Sequence, residues 1–458
     1  MFNEEMMPAM EALGSRRAKG CSLRGGAKVI DAQSAAQLVR SGDWLITGHS
    51  SASPRAFIQA LVGRSRELHN VWITHVRVEG PAEYLQPEYA ASFFHNACML
   101  GPNSRAAMLE SRADYIPNRY WEMPALLRQG LLRPNIAVLQ LSPPDAEGCC
   151  SFGICTSYLP TAAATADITI GEINACTPHT TGAKIHVSQL DYIIEANYPL
   201  YQSSLPSVGD VERDIARNVA SLIDDGATLQ MGIGAIPNAI LGFLGDRRDI
   251  GIHTEMFGDG VVDLMEKGVI TGRKKTLHPD KIIATFVMGT KRLFDFIHDN
   301  PVTEFHEVSY TNDPNVICLN ANFVAINSAL EIDVTGQICS ESIGSMMFTG
   351  VGGQLDFALG ASLAPGGKFV IAMPSTAAKG RMSRIVHQLK PGAAVTTPRT
   401  LADYVVTEFG IARLRGKNLS QRARALIDVC HPDFREELER NVHERKDVHL
   451  GGPGVRIT

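Results

Sequence analysis

The sequence predicts an α/β protein built as two related open domains, each a mostly parallel sheet with helices on its faces. Three observations predict it. The chain has 458 residues, more than one ordinary core accommodates, so more than one domain is expected. The stretch LVRSGDWLITGHSSASPRAFIQAL (38–61) is echoed by LIDDGATLQMGIGAIPNAILGFL (222–244). The second half alternates short apolar runs with helically spaced segments, the pattern of strands joined by crossover helices.

In the echo, Leu38, Gly42 and Gly48 match Leu222, Gly226 and Gly232 at identical spacing. After one residue of slippage, Pro54, Ala56 and Leu61 match Pro237, Ala239 and Leu244. Each copy reads as a helix, a glycine turn, a buried strand, a Gly/Ser loop and a second helix opening on proline. Proline suits a first helical position because its missing N–H would be unpaired there anyway. Linker composition in SSLPSVGD (203–210) puts the boundary near Leu205–Val208, giving domains 1–205 and 206–458. Further along, DIGIHTEMF reads as a strand running into helical GDGVVDLMEKG, and KIIATFVMG runs into TKRLFDFIHDN likewise. KFVIAMP is another short buried run. Sites in such sheets form at the carboxyl ends of strands.

Composition narrows the function classes. Apolar residues make up 45% and charged residues 20%, which is globular rather than disordered. A formal net charge of −5 without a Lys/Arg stripe argues against nucleic-acid binding. No apolar run reaches the about 18 residues of a membrane span, and MFNEEMMPAMEALGSRRAKG is acidic before it is basic, unlike a secretory signal. Nine cysteines without a framework of spacings point to reduced thiols and a cytoplasmic location. The adjacent Cys149 and Cys150 read either as a redox pair or as an incidental one.

Three segments offer chemistry. QMGIGAIPNAI (230–240) is a strand, a glycine turn and a helix start, so its backbone could approach a ligand or simply turn. It lacks the dinucleotide fingerprint. GIHTEMFGDG (251–260) puts Glu255 after a strand and before a turn, where it could be a nucleophile needing no general base, a helix cap or a surface pair. In FTGVGGQLDFALGA (348–361), Gly350, Gly352 and Gly353 precede a helix and could present N–H groups to an oxyanion or act as a hinge. The 14 histidines include His179 and His186 seven apart, and His253 alternating with Glu255. None has the CxxC or HExxH spacing of a metal site, and no GxSxG elbow is present.

Taken in order, SPPDAEGCCSFG (142–153), GEINACTPHTTG (171–182), MGIGAIP, HTEMFGDG, INSALEIDVTGQI (326–338), GVGGQLDF, GRMSRIV (380–386), VVTEFGIARLRG (405–416) and HPDFREEL (431–438) resemble the acetyl-CoA hydrolase/transferase family, most of all its 4-hydroxybutyrate and butyrate CoA-transferase branch. The resemblance implies a CoA-transferase fold with the active site between the two domains. It implies that Glu255 carries CoA, that Gly352 and Gly353 donate to an oxyanion, and that Asn327 neighbours the thioester. It also assigns CoA contacts to Gly232, Ile233, Gly234, Ala235 and Ile236, to Gly350 and Val351, and to Lys379 just before GRMSRIV. Acyl-CoA and small carboxylates are the implied substrates, with coenzyme A a cosubstrate, no tightly bound cofactor, no metal and a homo-oligomeric assembly.

Within the resemblance the reaction is transfer between 4-hydroxybutyrate, butyrate or acetate. The same glutamate could instead serve an acyl-CoA hydrolase, or a transferase for a dicarboxylate such as succinate or itaconate. A non-catalytic sensor on the same scaffold is the reading from another class. In the first half, GHSSASPRAF (48–57) and the Cys-Cys pair depart from the family pattern, and Arg55 could meet a second carboxylate or simply be solvated at its helix start.

Overall fold

The computed structural model describes residues 26–203, 207–232, 234–448 and 450. Residues 1–20, the boundary at 205/206 and Ile233, all used above, lie wholly or partly outside them. Two eight-stranded sheets form the frame. The first uses β1 (Lys28–Val29), β2 (Trp44–Thr47), β3 (Val71–Thr74), β4 (Phe93–Ala97), β5 (Ala113–Tyr115), β6 (Ile136–Leu141), β7 (Ile168–Asn174) and β8 (Tyr192–Ala196). Their spatial order is β1-β8-β7-β6-β2-β3-β4-β5, and every pairing is parallel.

The second sheet uses β9 (Thr228–Met231), β10 (Gly251–His253), β11 (Ile282–Ala284), β12 (Thr303–Phe305), β13 (Phe323–Asn327), β14 (Lys368–Ala372), β15 (Tyr404–Thr407) and β16 (Gly410–Arg413). Its order is β12-β11-β10-β9-β13-β14-β15-β16, parallel except for the final β15–β16 hairpin. The echo in the sequence thus extends to topology. From β2 the chain adds β3, β4 and β5 on one side, then returns to add β6, β7 and β8 on the other. From β9 it adds β10, β11 and β12, then β13, β14 and β15.

The central strands, such as β6, β9, β10 and β11, are buried on both faces, as parallel strands under crossover helices must be. Along β13, Phe323 and Ala325 join one core, while Val324 and Ile326 join another shared with Ile46 and Leu139 of the first sheet. That shared core unites the two halves. The helices of the echo are α1 (Arg55–Gly63) and α3 (Ala235–Gly242), and α2 (Asp210–Ala220) precedes β9. In α2 the buried residues Ile215, Ala216, Val219 and Ala220 lie on one face, and Glu212 accepts from the Gly209 N–H at 3.0 Å. The expected first-position prolines shift: Pro54 is the residue before α1, and Pro237 is the third residue of α3. At the cap or in the first turn, a missing N–H costs little because it has no partner within the helix.

DIGIHTEMF and KIIATFVMG are each interrupted rather than continuous. After β10 and β11 the backbone leaves the main sheet, and Met256–Phe257 pairs in parallel with Phe286–Val287 as a separate two-stranded ribbon. This ribbon meets the first half directly. Thr156 N and Ser157 N donate to Thr285 O at 2.9 and 3.3 Å, and Val287 N donates to Ile154 O at 2.9 Å. A second main-chain contact joins Phe305 N to Thr181 O and Ala183 N to Phe305 O, at 2.9 and 3.0 Å. Between them Gly182 has φ +117°, and a Cβ there would lie 2.1 Å from Phe305 O. Only glycine fits both demands.

Candidate active site

The carboxyl ends of β10, β9 and β13 lie side by side, and they deliver Glu255, Gly232 and Asn327 to one edge of the second sheet. Glu255 stands at the interruption between β10 and the Met256–Phe257 ribbon. Its carbonyl accepts from Thr285 N at 3.0 Å and Phe286 N at 3.2 Å. Thr254 holds the preceding bend: its hydroxyl accepts from Met231 N at 3.3 Å and donates to Met256 O at 2.9 Å. The backbone under the carboxylate is therefore fixed from both sides.

The Glu255 side chain is half-buried, and Asn312 Nδ2 donates to its Oε2 at 2.8 Å. The Gly353 N–H donates to the same carboxyl. Burial outweighs these two bonds and pushes its pKa up to about 7. Asn312 follows the short helix Val308–Thr311, and buried His253 holds that turn by donating from Nε2 to Thr311 O at 2.8 Å. Burial depresses His253 to about 3. It is a neutral donor to that turn. Among the described residues no group of three or more His, Cys, Asp or Glu could hold a metal ion.

The GVGG loop crosses from the second half toward the first and ends at α4 (Gln354–Leu363). Gly352 has φ +56°, and its carbonyl accepts from Tyr120 N at 3.2 Å. Val351 N donates to Tyr115 Oη at 3.3 Å. A Cβ on Gly350 would come within 3.0 Å of the Tyr115 ring and 3.2 Å of Cys98 O. A Cβ on Gly353 would lie 2.2 Å from Glu255 Oε2 and 2.4 Å from Asn312 Nδ2. The glycines are required because first-half residues and the site carboxylate press against them. Arg105 secures the approach, donating from Nε to Phe348 O at 2.7 Å with its guanidinium 3.6 Å over that ring.

Beside this carboxyl edge is a cleft of about 300 Å³ walled by Gly232, Gly234, Ala235, Ile236, Asn327 and Ser328, with Glu212 at its rim. Asn327 donates from Nδ2 to Gln230 Oε1 at 3.0 Å. Lys379 is exposed at the tip of the hairpin joining Thr376–Ala377 to Met382–Ser383, and it is not part of that wall.

In the first half, Arg55 is not a solvated helix start. Its guanidinium lies 4.2 Å over the Tyr198 ring and 5.3 Å from that of Tyr201. The buried Glu172 carboxyl accepts from Ala56 N and Phe57 N at 3.2 and 2.8 Å, occupying the start of α1. Cys150 is buried and Cys149 half-buried in a short strand paired with Lys184–His186, and both are free thiols. His179 bonds Asp299 at 2.6 Å and His186 bonds Ser188 at 2.7 Å.

Sequence reasoning missed Asn312, Asp356, Tyr115 and Tyr120. Asp356 is buried in the first turn of α4, where its Oδ2 accepts from Trp121 N at 3.3 Å. The only sequence signal for Asn312 was SYTNDP, which reads as a turn.

Known proteins resemble this chain over most of its length. The acetyl-CoA hydrolase/transferase N-terminal domain matches residues 26–200, and the C-terminal domain of the same name matches 289–442. The chain is 47% identical to the 4-hydroxybutyrate coenzyme A transferase of Clostridium kluyveri, over 91% of this chain and 98% of that protein. It is 37% identical to the butyryl-CoA:acetate CoA-transferase of Anaerostipes caccae, over 91% and 96% respectively. Among solved structures, RipA from Yersinia pestis superimposes with a TM-score of 0.86 at 34% identity, covering 91% of this chain and 97% of that one. The 4-hydroxybutyrate CoA-transferase of Porphyromonas gingivalis does so with a TM-score of 0.78 at 41% identity, covering 91% and 98%.

Proposed function

We propose, from the premise that this chain belongs to the acetyl-CoA hydrolase/transferase family, that Glu255 carries CoA in a two-stage exchange between short carboxylic acids. The chain is a CoA-transferase by its relatives. The acids we propose are 4-hydroxybutyrate, butyrate and acetate, the substrates in the names of two of those relatives. The observation that carries the reading is the Glu255 carboxylate, half-buried at a strand end, with the Asn312 amide and the Gly353 N–H on its oxygens.

The chemistry follows from these groups. Ionised Glu255 attacks the acyl-CoA carbonyl and forms a tetrahedral oxyanion, which backbone N–H groups of the Gly352–Gly353 turn stabilise. The C–S bond breaks, CoA thiolate leaves, and an acyl-glutamyl anhydride remains. The thiolate then attacks the glutamyl carbonyl, the first acid departs as a carboxylate, and a glutamyl-CoA thioester is stored. A second carboxylate runs the steps in reverse and leaves as the new acyl-CoA. One thioester replaces another, so the exchange needs no ATP. The cleft walled by Gly232, Gly234 and Asn327 is the proposed seat of CoA beside the thioester.

Trapping tests the assignment. Protein mixed with butyryl-CoA is reduced with borohydride, digested and mapped. Modification at Glu255 is the expected result; modification elsewhere, or none in active protein, overturns the reading. Loss of butyryl-CoA should also depend on added acetate, since acetate-independent loss would identify a hydrolase.

A further inference from the structure

We propose that Asp356 is a positioning residue for Glu255, acting through the Asn312 amide that lies between the two carboxyls. The inference rests on Glu255 being the nucleophile. Asp356 is 1% exposed and Asn312 0% exposed, so neither side chain exchanges its partners with water. The Asn312 amide nitrogen donates to Glu255 Oε2 at 2.8 Å, and the Asn312 side chain lies beside the Asp356 carboxyl, where it and Trp121 N favour the ionised form less than burial favours the neutral one.

Two oxygens in this cluster, Asp356 Oδ1 and Asn312 Oδ1, have no hydrogen-bond partner among heavy-atom donors. Both are acceptors if Asp356 is ionised, and a buried acceptor without a donor is destabilising. A proton on Asp356 removes the conflict. A neutral carboxyl and a primary amide are complementary: the acid O–H donates to the amide carbonyl, and the amide N–H donates to the acid carbonyl. The second amide N–H is then left for one acceptor, and that acceptor is Glu255.

The charges around Asp356 favour the neutral form. The charged groups facing it are Glu255 and Arg119. Arg119 is already engaged by Glu122. Burial and the Glu255 charge together hold Asp356 well above the usual carboxylate range. One carboxyl of the pair keeps the proton, and the more buried one is Asp356. Glu255 is thereby free to ionise with its amide donor locked in orientation.

The experiment compares Asp356→Ala and Asp356→Asn by butyryl-CoA:acetate exchange across pH, with borohydride trapping on the unmodified protein as the separate control for Glu255. Asparagine keeps a donor and an acceptor for the amide; alanine keeps neither. Asp356→Ala should lower kcat at least about tenfold with KM for butyryl-CoA changed less than about threefold, because orientation rather than binding is lost. Asp356→Asn should recover most of that rate and leave the acid limb of the kcat/KM profile unmoved. A limb shifted downward by about half a pH unit or more in Asp356→Asn would show that Asp356 was ionised, and would overturn the proposal. So would an Asp356→Ala protein as fast as the unmodified one. If Asp356→Ala does not fold, the Asp356→Asn profile alone decides. Failure of trapping on the unmodified protein would instead count against Glu255.

Discussion

Gly353→Ala isolates the site from the fold. Gly353 has φ −92° and ψ 3°, a conformation open to alanine, so the backbone itself does not resist the change. The new methyl would lie 2.2 Å from Glu255 Oε2 and 2.4 Å from Asn312 Nδ2, where ordinary contact begins near 3.4 Å. The carboxylate and the amide must therefore each retreat by about 1 Å, and a misplacement of that size costs roughly 10²-fold in rate. The Gly353 N–H would also lose its aim at the carboxyl. The stability cost is that of alanine before a helix plus the displacement of two packed side chains, roughly 1–3 kcal/mol. Initial rates of butyryl-CoA:acetate exchange and a thermal melt on the same preparation check both halves. A protein with its melting temperature within a few degrees and kcat reduced about a hundredfold is expected. A kcat within threefold of the unmodified protein would refute the close approach of Gly353 to the nucleophile.

Glu255 at about 7 makes kcat/KM rise with pH up to that region, falling about tenfold per pH unit below it. A plateau extending well below pH 6 in a pH–rate profile would contradict the assignment. Gly350→Ala would push a methyl against the Tyr115 ring at 3.0 Å and against Cys98 O and Met99 Cα at 3.2 Å. Main-chain neighbours cannot swing aside, so a loss of roughly 1–3 kcal/mol is expected in denaturant unfolding. Buried His49 and His253 are depressed to about 3, and His95 to about 4, by burial. Below the ordinary histidine value of 6.5 the unfolded chain takes up protons that the fold refuses, so these groups lower stability as pH falls. His49→Gln should accordingly lose less melting temperature than the unmodified protein between about pH 7 and pH 5.

What the sequence made legible was whatever is carried on one stretch of chain. Strand–helix alternation and the echo around Gly48 and Gly232 are local patterns with counterparts in the structure, and Glu255 does follow a strand, although a second short strand rather than a turn comes after it. The unread parts are those created by packing. Asn312 reaches Glu255 from 57 residues away, with no spacing rule linking them. Tyr115 and Met99 press on the GVGG loop from the other half of the chain. The continuous strands expected in DIGIHTEMF and KIIATFVMG failed for the same reason. Their apolar character is right, but periodicity cannot say that the second part of each run pairs outside the main sheet. Arg55 shows the limit for single residues: its charge was visible, its two tyrosine rings were not.

The main-chain bonds from Ile154, Thr156 and Ser157 to the 285–287 segment have a consequence for how this molecule could be taken apart. Halves that touch only through side chains can part like a hinge, and each can survive alone. Here separation would strip backbone donors and acceptors of their partners and open the core that Ile46 and Leu139 share with Val324 and Ile326. The two sheets repeat one topology, yet they draw on one core. Cutting the connection near residue 205 would free a covalent link, not two proteins. The fragments should remain associated, because the seam that holds Glu255 in place also holds the halves together.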